Sequence, residues 1–190
     1  MNIYNFRTVI EMNCWKTINL SKDYGFHRLF IVSVLTMMIT FITIYLPLVV
    51  VFPSIHLKED HFFLLLLFII CIVPCHKLLH AMPLWMYGYR VSLKLKFQSY
   101  MPILFLKTNC NVSKASMTLS LLTPFIIVTA VMTAGLMHFP AYLHYFCLGI
   151  AFHTGLCVTD FIFLSQLSKA PKACFIEEAD ESFEILFQKY

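Results

Sequence analysis

Charged side chains are scarce in this sequence and unevenly spread. Only 13% of the 190 residues are Asp, Glu, Lys or Arg, whereas 59% are hydrophobic, far above the share of a soluble protein. Between Asp60 and Glu177 the only carboxylate is Asp160. This composition excludes an ordinary soluble domain and predicts one membrane domain over residues 1–190, with the lipid bilayer as its surroundings.

Other absences narrow the class further. The five glycines do not form a Gly-rich phosphate-binding loop. The seven cysteines are an odd number and lie mostly in apolar runs or on the predicted cytoplasmic side, which argues against a disulfide framework. The net charge is only +4, and the basic residues lie beside the apolar runs. They therefore indicate the orientation in the membrane, and no nucleic-acid partner is expected.

The long apolar runs predict membrane spans. Crossing a bilayer takes about 20 helical residues, and four runs meet this length, at about residues 29–52, 62–87, 117–137 and 140–164. The first is too long for the apolar core of a secretory signal and lacks a small-residue cleavage site after it, so we expect a retained helix. The predicted fold class is an all-α membrane protein with four transmembrane helices.

Basic residues indicate how these helices are oriented. They gather before the first run and in the segment 88–116, while the other two connections hold one lysine or none. Cytoplasmic loops carry the excess of Lys and Arg, so we expect a multi-pass protein of the cell membrane with both termini and segment 88–116 in the cytoplasm. Within this segment, residues 91–97 alternate between apolar and polar and residues 103–106 could pair with them. A small cytoplasmic β-hairpin is therefore predicted between the second and third helices, either capping the bundle or holding an extended substrate.

The two ends of the chain differ from the rest. Residues 173–190 interleave acidic and apolar side chains. This acidic tail could pack on the basic segment 88–116, bind a partner or remain solvated. Met12 is an alternative start to Met1, and residues 1–11 would then be dispensable.

Two histidines stand out near the cytoplasmic end of the second span. His76 and His80 are four residues apart, so they share one helix face, as the zinc-binding histidines of an HExxH motif do. A zinc site usually takes a third protein ligand. With a helix rise of about 1.5 Å per residue, His76 and His80 lie about 22 and 28 Å from a start near His61, and Asp160 lies about 28 Å from a start near Ala141. The sequence therefore predicts that these three residues bind zinc.

Other roles for these side chains are open at this stage. The histidines could bond to backbone carbonyls or to each other, and Asp160 could pair with a Lys or His to hold helices together. His153 precedes Asp160 by seven residues, on nearly the same face. It could support Asp160, act as a distant fourth ligand or serve ordinary helix packing.

Lys77 occupies the position of the catalytic Glu of HExxH. That Glu takes a proton from metal-bound water, whereas a lysine is cationic and offers no acceptor unless it loses its proton. Lys77 could become such a base, or a tail acid such as Glu177 could assist. Otherwise it extends to the interface and contributes only to orientation. No catalytic residue is identified from the sequence.

Several segments together resemble a known family, the bacterial membrane proteins of the zincin peptidase kind, which are similar in layout to the site-2 membrane metalloproteases. The resemblance covers residues 14–187 and is carried by Cys14-Trp15-Lys16, Tyr24-Gly25-Phe26-His27-Arg28, Pro74-Cys75-His76-Lys77-Leu78-Leu79-His80-Ala81, Leu122-Thr123-Pro124-Phe125, Thr159-Asp160-Phe161 and Lys169-Ala170-Pro171-Lys172. It implies zinc held by the two motif histidines and a later acidic residue, which fall on His76, His80 and Asp160.

Two functions are therefore predicted. One is an intramembrane zinc protein that resembles a zincin-type metalloprotease and is impaired or inactive because of Lys77, with a membrane protein as substrate or partner. The other is a non-enzymatic multi-span protein with structural histidines, acting as a partner-binding or regulatory subunit.

Overall fold

The fold is dominated by long apolar helices, as the sequence predicts. A computed structural model describes residues 12–53, 56–98, 101–108, 111–179 and 182–188. The described helices are α1 (Leu20–Tyr24), α2 (Phe26–Val51), α3 (Phe62–Met86), α4 (Lys114–His138), α5 (Leu143–Leu156) and α6 (Val158–Ser168), and a short 3₁₀ turn at Pro140–Tyr142 leads into α5. Met1 and the rest of the segment 1–11, predicted to be dispensable, lie outside the described residues.

Three of these helices, α2, α3 and α4, are long and apolar enough to cross a membrane, counted over the described ranges. They correspond to the first three predicted spans. The span predicted at 140–164 differs, because Pro140–Leu156 and Val158–Ser168 are bent by 43° at Cys157. They are long enough only as one broken span.

Helix α5 lies at the centre of the helical part. It packs along α2 and against α4, and α3 packs along α4. Gly155 makes the approach to α2 possible, since a Cβ atom at this position would lie 3.0 Å from the Ser33 carbonyl oxygen. That distance is tighter than normal side-chain contact, so a larger residue would push α2 away.

The predicted hairpin is present as two antiparallel strands, β2 (Val91–Gln98) and β3 (Met101–Thr108). Their register runs from Val91 opposite Thr108 to Gln98 opposite Met101. The cytoplasmic location of this hairpin stays a prediction.

A second sheet was not predicted, so the description of the fold as all-α with one hairpin is incomplete. Strands β1 (Met12–Ile18), β4 (Val112–Ser113), β5 (Cys174–Ala179) and β6 (Ser182–Gln188) form an antiparallel sheet in the order β1-β6-β5-β4. The acidic tail supplies β5 and β6. It pairs on one side with the start of the described chain and on the other with the end of segment 88–116.

The second sheet is anchored by a buried apolar cluster. The sheet contributes Ile18, Cys174, Ile176 and Ile185, and the helices contribute Leu121 of α4 with Phe163 and Leu167 of α6. Leu121 follows Ser120, and Phe163 lies one helical turn after Asp160. This core therefore fixes the sheet against the helix ends that carry the predicted site.

Candidate metal centre

Two helices, α3 and α6, bring the predicted ligands together. His76 and His80 lie on one face of α3, and Asp160 lies in the first turn of α6. All three are buried, with 4%, 5% and 8% of their surfaces exposed. The helix rise predicts a similar depth for the three residues, and in the structure their side-chain nitrogen and oxygen atoms lie 3.1–3.4 Å apart.

The ligand atoms of these residues form a nearly equilateral triangle. The distance from His76 Nε2 to Asp160 Oδ2 is 3.1 Å, from His80 Nε2 to Asp160 Oδ2 it is 3.4 Å, and the two Nε2 atoms are 3.1 Å apart. Tetrahedral zinc with bonds of about 2.0–2.1 Å separates two ligand atoms by about 3.3 Å. The spacing therefore fits a common tetrahedral ion.

The chemistry of the donors also fits a cation. Among the described residues, Asp160 Oδ2 is buried yet has no hydrogen bond of acceptable geometry, although two ring nitrogens lie close to it. A buried carboxylate needs compensation by charge or by hydrogen bonds. Two neutral imidazoles and one carboxylate are a donor set that zinc commonly takes.

His80 is oriented by a reciprocal contact with α4. Its Nδ1–H donates to the Ser120 carbonyl oxygen at 2.8 Å, and Ser120 Oγ donates to the His80 carbonyl oxygen at 2.6 Å. The Ser120 carbonyl is available because residue i+4 is Pro124, which has no N–H to close the helical hydrogen bond. With the proton on Nδ1, the lone pair of Nε2 faces Asp160, as in many metal-bound histidines.

His76 has a partner of its own. Its Nδ1 lies 3.1 Å from His153 Nε2, and His153 is fully buried. Cys157 Sγ lies 3.7 Å from His153 Nε2 and 4.0 Å from His76 Nδ1. His153 makes its hydrogen-bonding contacts with His76 and Cys157. The structure therefore does not show the predicted support of Asp160 by His153.

Lys77 is half-buried beside this cluster. Its positive charge is close enough to act on His76 and on Cys157. Lys77, a basic residue, thus occupies the position at which the HExxH motif of a zincin has its anionic base.

The fold and the cluster together define a class: a helical protein with membrane-type spans and a buried His/Asp group suited to a divalent ion. Residues 69–175, more than half of the 190, match the model of a family described as "Putative zincin peptidase". The chain belongs to this family. The matched range contains both motif histidines and Asp160.

Two further comparisons gave no match, neither to a curated protein nor to a solved structure. The likeness in layout to site-2 metalloproteases therefore stays an expectation from the sequence.

Sequence reasoning missed the roles of Ser120, Pro124 and Cys157. A signal for Ser120 was present, since a proline inside a helix always frees the carbonyl four residues before it. Cys157 carried a weaker signal. It lies four residues after His153 and three before Asp160, and residues at such spacings share a helix face.

Proposed function

We propose that this protein is a membrane metalloprotein of the zincin type, with zinc held by His76, His80 and Asp160. The observation that carries the proposal is the triangle of two Nε2 atoms and one carboxylate oxygen, with edges of 3.1–3.4 Å. A bound cation would offset the buried charge of Asp160 and would hold two ring nitrogens and a carboxylate oxygen at this spacing.

Peptide hydrolysis is impaired in this proposal, because the chain lacks the usual base. Bound zinc would supply a Lewis acid and a water molecule acidified to a pKa near 7. The proton of that water needs an acceptor, and Lys77 presents a positive charge at the position of the motif Glu. The only carboxylate between Asp60 and Glu177 is Asp160, which the metal would occupy. The site therefore favours holding a metal over cleaving a peptide.

We further propose four membrane crossings, with both ends of the domain and the hairpin in the cytoplasm. Strand β1 precedes α2, β4 lies between α3 and α4, and β5 and β6 follow α6, yet all four pair in one sheet. Segments that share a sheet lie on the same side of the membrane. The helices between them must therefore cross in pairs, which requires the bent unit of α5 and α6 to act as the fourth span. The excess of basic residues before α2 and after α3 supports the cytoplasmic side.

The test is the zinc content of detergent-purified protein, measured by elemental mass spectrometry. Removing two ligands with His80→Ala and Asp160→Ala should abolish zinc binding at this site. A matched double variant, His138→Ala with Asp60→Ala, removes an exposed histidine and an exposed aspartate and should retain the wild-type content. Equal zinc content in all three proteins would refute the site.

A second experiment separates impaired catalysis from a purely binding role. Lys77→Glu restores the motif base, and Lys77→Gln removes the charge without adding a base. If the pocket is otherwise competent, the glutamate variant should cleave a membrane peptide substrate library and the glutamine variant should not. Inactivity of both, with zinc still bound, would favour the alternative of a binding or regulatory subunit.

A further inference from the structure

The buried cluster extends beyond the three zincin ligands. On the far side of the His76 ring, Nδ1 faces His153 and Cys157 of the unit formed by α5 and α6. His76, His153 and Cys157 are all buried, and each offers one ligand atom within reach of the other two. This second group uses a different nitrogen of His76 from the first.

The spacing of the second group also fits a metal ion. For bonds of about 2.05 Å to nitrogen and 2.3 Å to sulfur, tetrahedral zinc separates N from S by about 3.6 Å and N from N by about 3.3 Å. The observed distances are 3.7 and 4.0 Å from Cys157 Sγ to the two nitrogens and 3.1 Å between the nitrogens. All three distances lie within about 0.4 Å of the tetrahedral values.

The break between α5 and α6 helps to form this group. Cys157 lies at the bend, and its N–H bonds to the His153 carbonyl at 3.0 Å. His153 and Cys157 thus stay one turn apart on one face, while the chain turns by 43° before Asp160. One helical unit therefore presents a thiol and an imidazole to one side of His76 and a carboxylate to its other side.

We propose that His76, His153 and Cys157 form a second metal site, selective for thiolate-binding ions such as zinc or cadmium, with His76 shared between the two ions. Two nitrogens and one sulfur are softer donors than the set that includes Asp160, and softer ions favour thiolates. In this site Cys157 binds as a thiolate and His76, held through both nitrogens, as a bridging imidazolate, so the metal ion replaces one proton on each of the two. His153 binds through Nε2 and keeps its proton on Nδ1.

The proposal predicts two zinc ions per chain when the purified protein is equilibrated with zinc and excess metal is removed. Cys157→Ser, which keeps the size of the side chain, should lower the content to one. Cys147→Ser is the matched control, because Cys147 is equally buried in α5 but belongs to neither ligand group, and its content should remain two. Asp160→Ala should also lower the content to one, by emptying the other site.

A spectroscopic measurement on the unmodified protein keeps the test independent of folding defects. X-ray absorption of the zinc-loaded wild type should show a sulfur neighbour at about 2.3 Å, and this signal should vanish in Cys157→Ser and persist in Cys147→Ser. Absence of sulfur around zinc in the wild type would overturn the second site. If Asp160→Ala still lost zinc in that case, the proposed function would stand alone. If zinc in the wild type had a sulfur neighbour and Asp160→Ala lost no zinc, the second site would stand and the site that includes Asp160 would be refuted.

Discussion

Replacing Pro124 by alanine should weaken zinc binding although Pro124 is not one of the proposed ligands. Alanine restores an N–H at position 124, and this N–H can close the helical hydrogen bond to the Ser120 carbonyl. That carbonyl now accepts the Nδ1–H of His80 at 2.8 Å. Competition for it would loosen the His80 ring and disfavour the tautomer whose Nε2 faces Asp160.

The size of the effect follows from the contacts. Removing a partner that orients a metal-bound histidine typically costs 10- to 100-fold in metal affinity. A carbonyl oxygen has two lone pairs and can accept both donors with poorer geometry. We therefore expect the lower end, about tenfold or about 1.4 kcal/mol of binding free energy. Ser120→Ala should have a smaller effect on affinity, because it removes only the hydroxyl bond to the His80 carbonyl and leaves the acceptor of His80 in place.

The assay is competition for zinc against a chelator of known affinity, with thermal unfolding followed in parallel. Pro47→Ala is the control, since Pro47 also lies inside a long helix but in α2, away from the cluster. An unchanged zinc affinity in Pro124→Ala, in a protein that unfolds at the normal temperature, would refute the claim that this proline frees the acceptor for His80.

Three further predictions concern the frame around the site. Gly155→Val should lower the unfolding temperature, because the new Cβ would lie 3.0 Å from the α2 backbone and overpacking typically costs about 1–3 kcal/mol. An unchanged unfolding temperature would mean that α2 can shift away from α5 without loss of stability. Lys114→Met should lower the free energy of unfolding by about 1.5–3 kcal/mol, because the ammonium group donates to the Ala170 carbonyl, just after α6, at 2.7 Å. Lys172→Met is the control: this lysine is exposed, so its replacement should have little effect on stability. Burial raises the pKa of the Cys174 thiol, so the unfolded chain loses this proton at lower pH than the folded protein, and stability should fall as the pH rises past about 8.5. If the unfolding temperature of Cys174→Ala fell equally with pH above this value, the prediction would be wrong.

The sequence was sufficient for the helices and for part of the site. Long uncharged runs predict apolar helices because a bilayer offers the backbone no other partner. The four-residue spacing of His76 and His80 fixes their common face whatever the helix packs against. Asp160 could be assigned because no other carboxylate competes with it over more than a hundred residues.

The second sheet could not be read in the same way. Strand β1 pairs with β6, and the partners Met12 and Gln188 are at nearly opposite ends of the chain. Local patterns of apolar and polar residues do not specify which distant strand completes a sheet, and the tail also fitted a solvated segment. The bend at Cys157 was also not predicted: neither proline nor glycine occupies that position, and the nearby Gly155 lies inside α5 and does not by itself indicate a break.

The pairing of β1 with β6 also sets an order of events during synthesis. Strand β1 precedes helices α1 to α6 in the chain, whereas its partner β6 follows them, so the two can pair only after these helices have been made. Until then its edge is open to other chains, and Ile18 lacks the part of its apolar cluster that the tail strands supply, namely Cys174, Ile176 and Ile185. A chain that ends after α6 would therefore carry helices α1 to α6 with its first strand unpaired.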